Sequence, residues 1–251
     1  MTLSYIGDEA MTGAYLAHQV RQHTIRPVIA FREYVFRDVI PQFCNLDQRA
    51  DQIASEYYDL AITRPVDEDC VGDTSQFAEE AHDQALSWYQ MMRSLRQTVL
   101  SLLAAGLFHL TEQQLASLGQ NAAFANRQPK STKLQHVAEW YKSVLCLDLH
   151  TLKDWSFIEE LRLVTNTAKH AEGDSSKKLK ALRPDLFCDP ALDGMFEGTG
   201  FRTWLVHRPV VAPLAGENLF VTEGTLRQYA EGVESFFREI ATRLEAQDKA
   251  G

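Results

Sequence analysis

Glu159-Glu160-Leu161-Arg162-Leu163-Val164-Thr165-Asn166-Thr167-Ala168-Lys169-His170 is the stretch from which the chain is read. Phe157, Leu161, Val164 and Ala168 recur at three- and four-residue steps, the spacing of one buried helical stripe. Glu159, Arg162, Asn166, Lys169 and His170 fall on the opposite side. That face carries a carboxylate, two fixed cations, an amide and an imidazole able to titrate near neutrality. Asp154 suits the N-cap, with Thr151 as another candidate, and Gly173 suits the C-terminal stop. His170 is therefore expected in the last turn, where a ligand can reach it.

The same period runs outward in both directions. Met11, Tyr15, Leu16 and Val20 predict a first helix over 9–23, which Arg26-Pro27 should break. A second helix is expected from Pro27 to the residue before Pro41, and a third from an Asn45 cap to Pro65. Val66–Thr74 reads as an acidic loop. A long helix follows over 75–110, apolar nearly all round in its back half and so placed at the centre of a bundle. Thr111-x-x-Gln114 resembles a capping box for a short helix ending at Gly119. Residues 120–131 read as a loop, and Ser131 or Thr132 caps a helix through Leu145.

After Gly173 the character changes. Ser175 or Ser176 can cap a short basic helix with Lys177, Lys178 and Lys180, closed by Arg183-Pro184. Residues 185–200 read as a long loop. The β-prone segments Thr203–Val211 and Asn218–Val221, separated by Pro213 and Gly216, predict a small β-hairpin near residues 203–221. Thr222 or Thr225 caps a final amphipathic helix through Leu244. The expected fold is mainly α, a helical bundle with that hairpin appended. Residues 1–74 are expected as an N-terminal helical segment packing on a core domain of 75–251, or all of 1–251 as one domain.

Composition narrows the function. The chain has 251 residues, 45% hydrophobic and 24% charged, enough to bury a sizeable core. A net charge of −9 argues against a non-specific nucleic-acid coat but leaves room for a local basic site. Cys44, Cys70, Cys146 and Cys188 are scattered with no Cys-x-x-Cys pair, and are expected as buried thiols in a reducing compartment. No basic-then-apolar pattern is read at the first residues, so no signal peptide is expected, and the longest apolar run, 98–110, is too short for a span of about 20 residues. A cytoplasmic protein with no membrane partner is expected.

Few patterns carry chemistry. Glu79-x-x-His82 has half the spacing of a di-metal carboxylate site, but no second Glu-x-x-His exists, so it reads as a solvated first turn. His18, His23, His109, His136, His150 and His207 pair with no His or Cys at zinc spacing, and His109 reads as a hydrogen-bonded core group. No metal and no cofactor is expected. Gly-rich phosphate loops and Gly-x-Ser-x-Gly elbows are absent.

The polar face around Asn166-Thr167-Ala168-Lys169-His170 resembles the HEPN superfamily, whose mark is an Arg, then usually a polar residue such as Asn, then His on one helix. The family's usual Arg position is Thr165 here, and the nearest arginine is Arg162. Leu161–Gly173, with Leu219–Glu223 and the C-terminal helix, also resembles uncharacterised bacterial proteins. The resemblance implies a metal-independent endoribonuclease, a toxin or phage-defence effector, acting as a homodimer or with a partner protein. His170 would be the general acid or base, Arg162 and Lys169 would clamp phosphate, and Asn166 would orient the imidazole or the ribose. Glu159 would support Arg162 or His170, and Lys177, Lys178, Lys180 and Arg183 would track RNA. The alternative is a catalytically inactive helical module that binds or regulates a partner protein. A third reading is a small-ligand-binding helical domain.

Overall fold

The computed structural model describes residues 12–63, 74–120, 127–192 and 200–249. These residues are mainly helical, and no strand occurs among them. Thr12 caps α1 (Gly13–Gln19) through its hydroxyl, which accepts the Tyr15 N–H at 3.1 Å. A π-helical turn, Val20–Thr24, then leads without interruption into α2 (Ile25–Tyr34). The break expected at Pro27 is absent. Proline supplies no N–H to the preceding turn, and the chain widens that turn to an i→i+5 pattern instead of stopping, with Ile25 N–H reaching Val20 O. Asn45, left-handed at φ 58°, then starts α3 (Leu46–Ile62).

α4 (Thr74–Gly119) is a single 46-residue helix, about 70 Å long at 1.5 Å per residue. The separate helix expected from Thr111 is part of it. The Thr111 hydroxyl is buried and donates to Leu107 O at 2.8 Å, back-bonding inside a helix rather than capping one. The back half of α4 buries Leu100, Ala104, Leu107, Phe108 and Leu115, as its all-round apolarity predicts. Its front half pairs with α3 and buries only Ala81 and Ala85 of its own apolar side chains. α5 (Leu134–Val144), α6 (Trp155–His170) and α7 (Asp174–Leu182) follow, then α8 (Phe201–His207) and α9 (Glu223–Lys249).

α9 is the axis of the bundle. Leu226, Tyr229, Val233, Phe236, Phe237, Ile240 and Leu244 are at most 1% exposed, and α1, α2, α4 and α6 all pack on it. Adjacent Phe236 and Phe237 are both buried, so the helix is covered on more than one side. Each such side chain contributes about 1.5–3 kcal/mol by leaving water. Two of the earliest helices therefore cover the last one. Among the described residues no helix is long and apolar enough to cross a membrane.

The hairpin expected over 203–221 is not formed. Thr203–His207 lies in α8, started by Gly200 at φ 70°, with His207 Nδ1 donating to Thr203 O at 2.7 Å. The extended residues that follow do not pair with 218–221. Val210 bonds both ways to Glu172, while the Val211 and Ala212 N–H groups go to Asn218 Oδ1 at 3.2 and 3.4 Å. Phe220 N–H donates to Leu186 O at 2.7 Å. Backbone groups that a ladder would use are taken by other elements, so β propensity is overridden. The expectation of buried thiols also fails where it can be seen: Cys44 and Cys146 are free and exposed, Cys188 is half-buried, and Cys70 lies outside the described residues.

Gly232 marks a close approach of α6 and α9. A Cβ placed there would lie 2.9 Å from the Phe157 ring. Gly232→Ala should therefore destabilise the fold by about 1–3 kcal/mol through overpacking. Urea unfolding of Gly232→Ala, Phe157→Leu and the double variant checks it. The smaller leucine side chain in place of Phe157 should recover part of the loss, giving a clearly non-additive cycle.

Candidate functional site

α6 is held by its buried face. Ile158, Leu161, Val164, Thr165 and Ala168 are 0–2% exposed, and the helix packs against α4, α7 and α9. Phe157, expected within this stripe, is half-buried against the core. The helix stops at Ala171, not at Gly173. Ala171 has φ 58° and ψ −132°, with its N–H on Thr167 O at 2.9 Å. This is a conformation that favours glycine, so the corner beside His170 is strained. Gly173 instead starts α7, where the Ser176 hydroxyl bonds its N–H at 2.9 Å and its carbonyl at 2.8 Å.

A clamp holds the strained corner. Glu172 N–H donates to Val210 O at 3.0 Å, and Val210 N–H returns to Glu172 Oε2 at 2.9 Å. Lys180 Nζ reaches the same carboxylate at 3.0 Å and Arg208 O at 2.8 Å. Burial works against the Glu172 charge, but the Val210 N–H and the Lys180 ammonium outweigh it and hold the carboxyl below its ordinary value of 4.5.

Arg162, Asn166 and His170 follow one another at four-residue steps along the outward side of α6. His170 is exposed and has no hydrogen-bond partner among the described residues. Asn166 is half-buried. Arg162 is paired with Glu159, Nη2 to Oε2 at 2.8 Å, with both side chains about one-third exposed (32% and 37%). Thr165, at the position where the HEPN pattern has its arginine, is fully buried. An arginine there would point into the core, and the outward-facing arginine of this helix is Arg162.

Lys169 adds a group that the sequence did not assign to the site. Its Nζ lies 3.3 Å from His109 Nε2 on α4, and His109 Nδ1 lies 3.1 Å from Glu112 Oε2. Glu112 Oε1 also accepts the Leu134 N–H at 3.1 Å, which fixes the carboxylate at the start of α5. These partners assign Nδ1–H to Glu112 and the lone pair on Nε2 to Lys169. The His109 side chain is 44% exposed, so it is not the core group that its apolar neighbours predict. Leu107 and Phe108 are buried beside it, and only the helix phase, read against α6, turns His109 outward.

The basic segment splits into two kinds. Lys177 and Lys178 are exposed with no carboxylate partner among the described residues. Lys180 belongs to the Glu172 clamp and also lies over the Phe187 ring at 5.5 Å. Arg183 pairs with Asp185 at 2.7 Å and with Glu160, which also accepts the Tyr229 hydroxyl at 2.6 Å. Burial, then the Glu160 carboxylate beside it, pushes the Tyr229 hydroxyl well above the usual phenol range. Lys180 and Arg183 thus tie α6, α7 and α9 together. Among the described residues no group of three or more His, Cys, Asp or Glu is placed to hold a metal ion.

The arrangement presents an exposed imidazole, an amide, an ammonium and a carboxylate-bound guanidinium on one surface, with a carboxylate–imidazole pair beside them. Such a surface can move a proton near neutral pH and accept an anion. Compared with protein-family profiles, with curated proteins and with solved structures, the chain shows no match.

The clamp makes a pH-dependent prediction. A carboxyl whose folded value is depressed adds stability above its ordinary value and loses it as pH falls through the folded one. Glu172→Gln should cost about 1 kcal/mol at pH 7, a figure reduced for exposure, and the gap to the native chain should close as pH falls below the ordinary value of 4.5 and through the lower folded one. Thermal melts across pH 3–7 check this. Ala171→Gly should raise stability by about 1 kcal/mol by removing the strain at φ 58°, as read by urea unfolding.

Proposed function

We propose that this chain is a HEPN-like RNA-cleaving protein that works without a metal. In this reading His170 is the general acid or base. The 2′-hydroxyl of a ribose attacks the adjacent phosphorus, a new P–O bond forms, and the bond to the 5′-oxygen breaks. The proton passes from the 2′-oxygen to a base, and the leaving oxygen takes one from an acid. Lys169 and Arg162 face the charge on the phosphorane oxygens, and Asn166 orients the ring or the ribose. The observation that supports this reading is the outward-facing file Arg162–Asn166–His170, exposed at His170 and flanked at that end by the Lys169–His109–Glu112 chain. One file supplies half of the acid–base chemistry, so a second copy or a partner protein completes the site. A toxin or phage-defence role follows from the resemblance alone.

A second reading has its own observation. Arg162 is already neutralised by Glu159, which suits a surface that docks a partner protein more than one that clamps phosphate. The two readings separate in one assay. Purified protein with total RNA and a chelator should cleave, and His170→Ala should lose about 10²–10⁴-fold in rate. Arg162→Ala should lose less, and His109→Ala should shift the pH profile. Cleavage that requires Mg²⁺, or that survives His170→Ala, rejects the mechanism, and absence of cleavage in every protein favours the partner-binding module.

A further inference from the structure

A groove of about 860 Å³ opens between α4 and α8, and no residue of α6 lines it. Its floor is α4, its walls come from the α2–α3 turn, the residues around 187–192, α8 and the loop around 216–220. Gly216 seats that loop on the floor. It is left-handed at φ 78°, and a Cβ would lie 2.6 Å from Ser94 O, so only glycine brings the loop this close to α4.

Six ionic side chains line the groove: Arg93, Arg96, Arg208, Asp47, Asp189 and Glu217. Arg93 pairs with Asp189, whose Oδ1 also accepts the Ala191 N–H at 2.9 Å, so this pair straps a wall to the floor. Arg96 and Arg208 differ. Neither has a carboxylate partner in ion-pair contact among the described residues. Arg96 Nε is buried and has no hydrogen-bond partner among them. Leaving a buried charged donor unmade costs stability, and such a group in a native fold calls for an acceptor. Arg208 stacks its guanidinium on Trp204 at 5.1 Å, while its backbone carbonyl is held by Lys180. Stacking fixes the plane and leaves the N–H edge for an oxyanion. Asp47 and Glu217 are exposed.

We infer that this groove binds a small organic phosphate. Two guanidinium groups with no carboxylate in ion-pair contact offer two forks to the several oxygens of a phosphate monoester, about −1.5 to −2 at neutral pH, more than a single carboxylate can use, while the exposed Asp47 and Glu217 stand elsewhere on the lining. The groove is far larger than inorganic phosphate, and its size falls within the roughly 300–1,000 Å³ range of small-molecule sites. Tyr89, Phe43 and Phe220 supply aromatic wall for a flat apolar body. The phosphate sits against Arg96 and Arg208, and the body lies along those rings. This site is independent of the RNA reading, because it uses none of the α6 residues.

Calorimetry of the whole chain with AMP, adenosine and inorganic phosphate tests the assignment. AMP should bind, and adenosine and inorganic phosphate should each bind at least about tenfold more weakly, since each lacks one half of the recognition. Arg96→Gln and Arg208→Gln should each weaken AMP about ten- to a hundredfold, and Arg243→Gln, outside the groove lining, should leave it unchanged. If Arg96→Gln does not fold, as read by circular dichroism, the exposed Arg208→Gln decides alone. Equal binding of AMP and adenosine overturns the proposal. So does unaltered AMP affinity in Arg208→Gln, or no heat and no shift in melting temperature at about 10 mM AMP. Because binding is read directly, either result stands whether or not the protein cleaves RNA.

Discussion

Everything in this fold is arranged around the need to keep α9 dry. Seven large side chains on it are almost completely buried, and no single neighbour can cover them. A helix with Phe236 and Phe237 both inside must be surrounded, so α1, α2, α4 and α6 are recruited from the N-terminal and central parts of the chain. Trp155, at the start of α6, meets Phe236 with ring centroids 6.0 Å apart, which sets how α6 lies on this axis. The close approach at Gly232 is the same requirement expressed at one residue. Loss of a phenylalanine from this axis would cost about 3–5 kcal/mol, a large share of a typical domain's net stability.

Polar groups inside that packing are few and carry connections. Glu160 takes the Tyr229 hydroxyl and the Arg183 guanidinium, so one carboxylate joins α6, α9 and the end of α7. Glu172 does the same for the α6–α7 corner and residue 210. Both explain why part of the basic run beyond Gly173 is turned inward: Arg183 satisfies the largely buried Glu160 carboxylate, and Lys180 bridges the exposed Glu172 carboxylate and the Arg208 carbonyl. Lys177 and Lys178, earlier on the same helix, remain solvated.

The outward face of α6 and the α4 groove are mechanically joined through one short segment. Residues 208–210 supply Arg208 to the groove and Val210 to the clamp two residues beyond His170. That segment is expected as a strand because its side chains favour β structure. It is extended, yet its hydrogen bonds run to Glu172 and to the Asn218 side chain. A position that looks locally like a hairpin thus serves as a brace between two surfaces.

What the sequence determined by itself is the class of structure and the faces of its helices. Periodicity alone marks α6 with Leu161, Val164 and Ala168 inside and Arg162, Asn166 and His170 outside, because burial of an apolar stripe is a local, additive demand. It also identifies the last helix and its buried residues. Where local pattern fails, the deciding partner lies outside the segment itself. The hairpin fails because Glu172 and Leu186 take its backbone groups, and the break at Pro27 fails because a π turn absorbs the missing N–H. His109 looks like core because its neighbours are, and only the packing of α4 on α6 brings it to Lys169. The groove has no linear signature. Arg96 lies far along the chain from Arg208 and Gly216, and solely the folded chain sets the two guanidinium groups on one cavity with no carboxylate in ion-pair contact among the described residues.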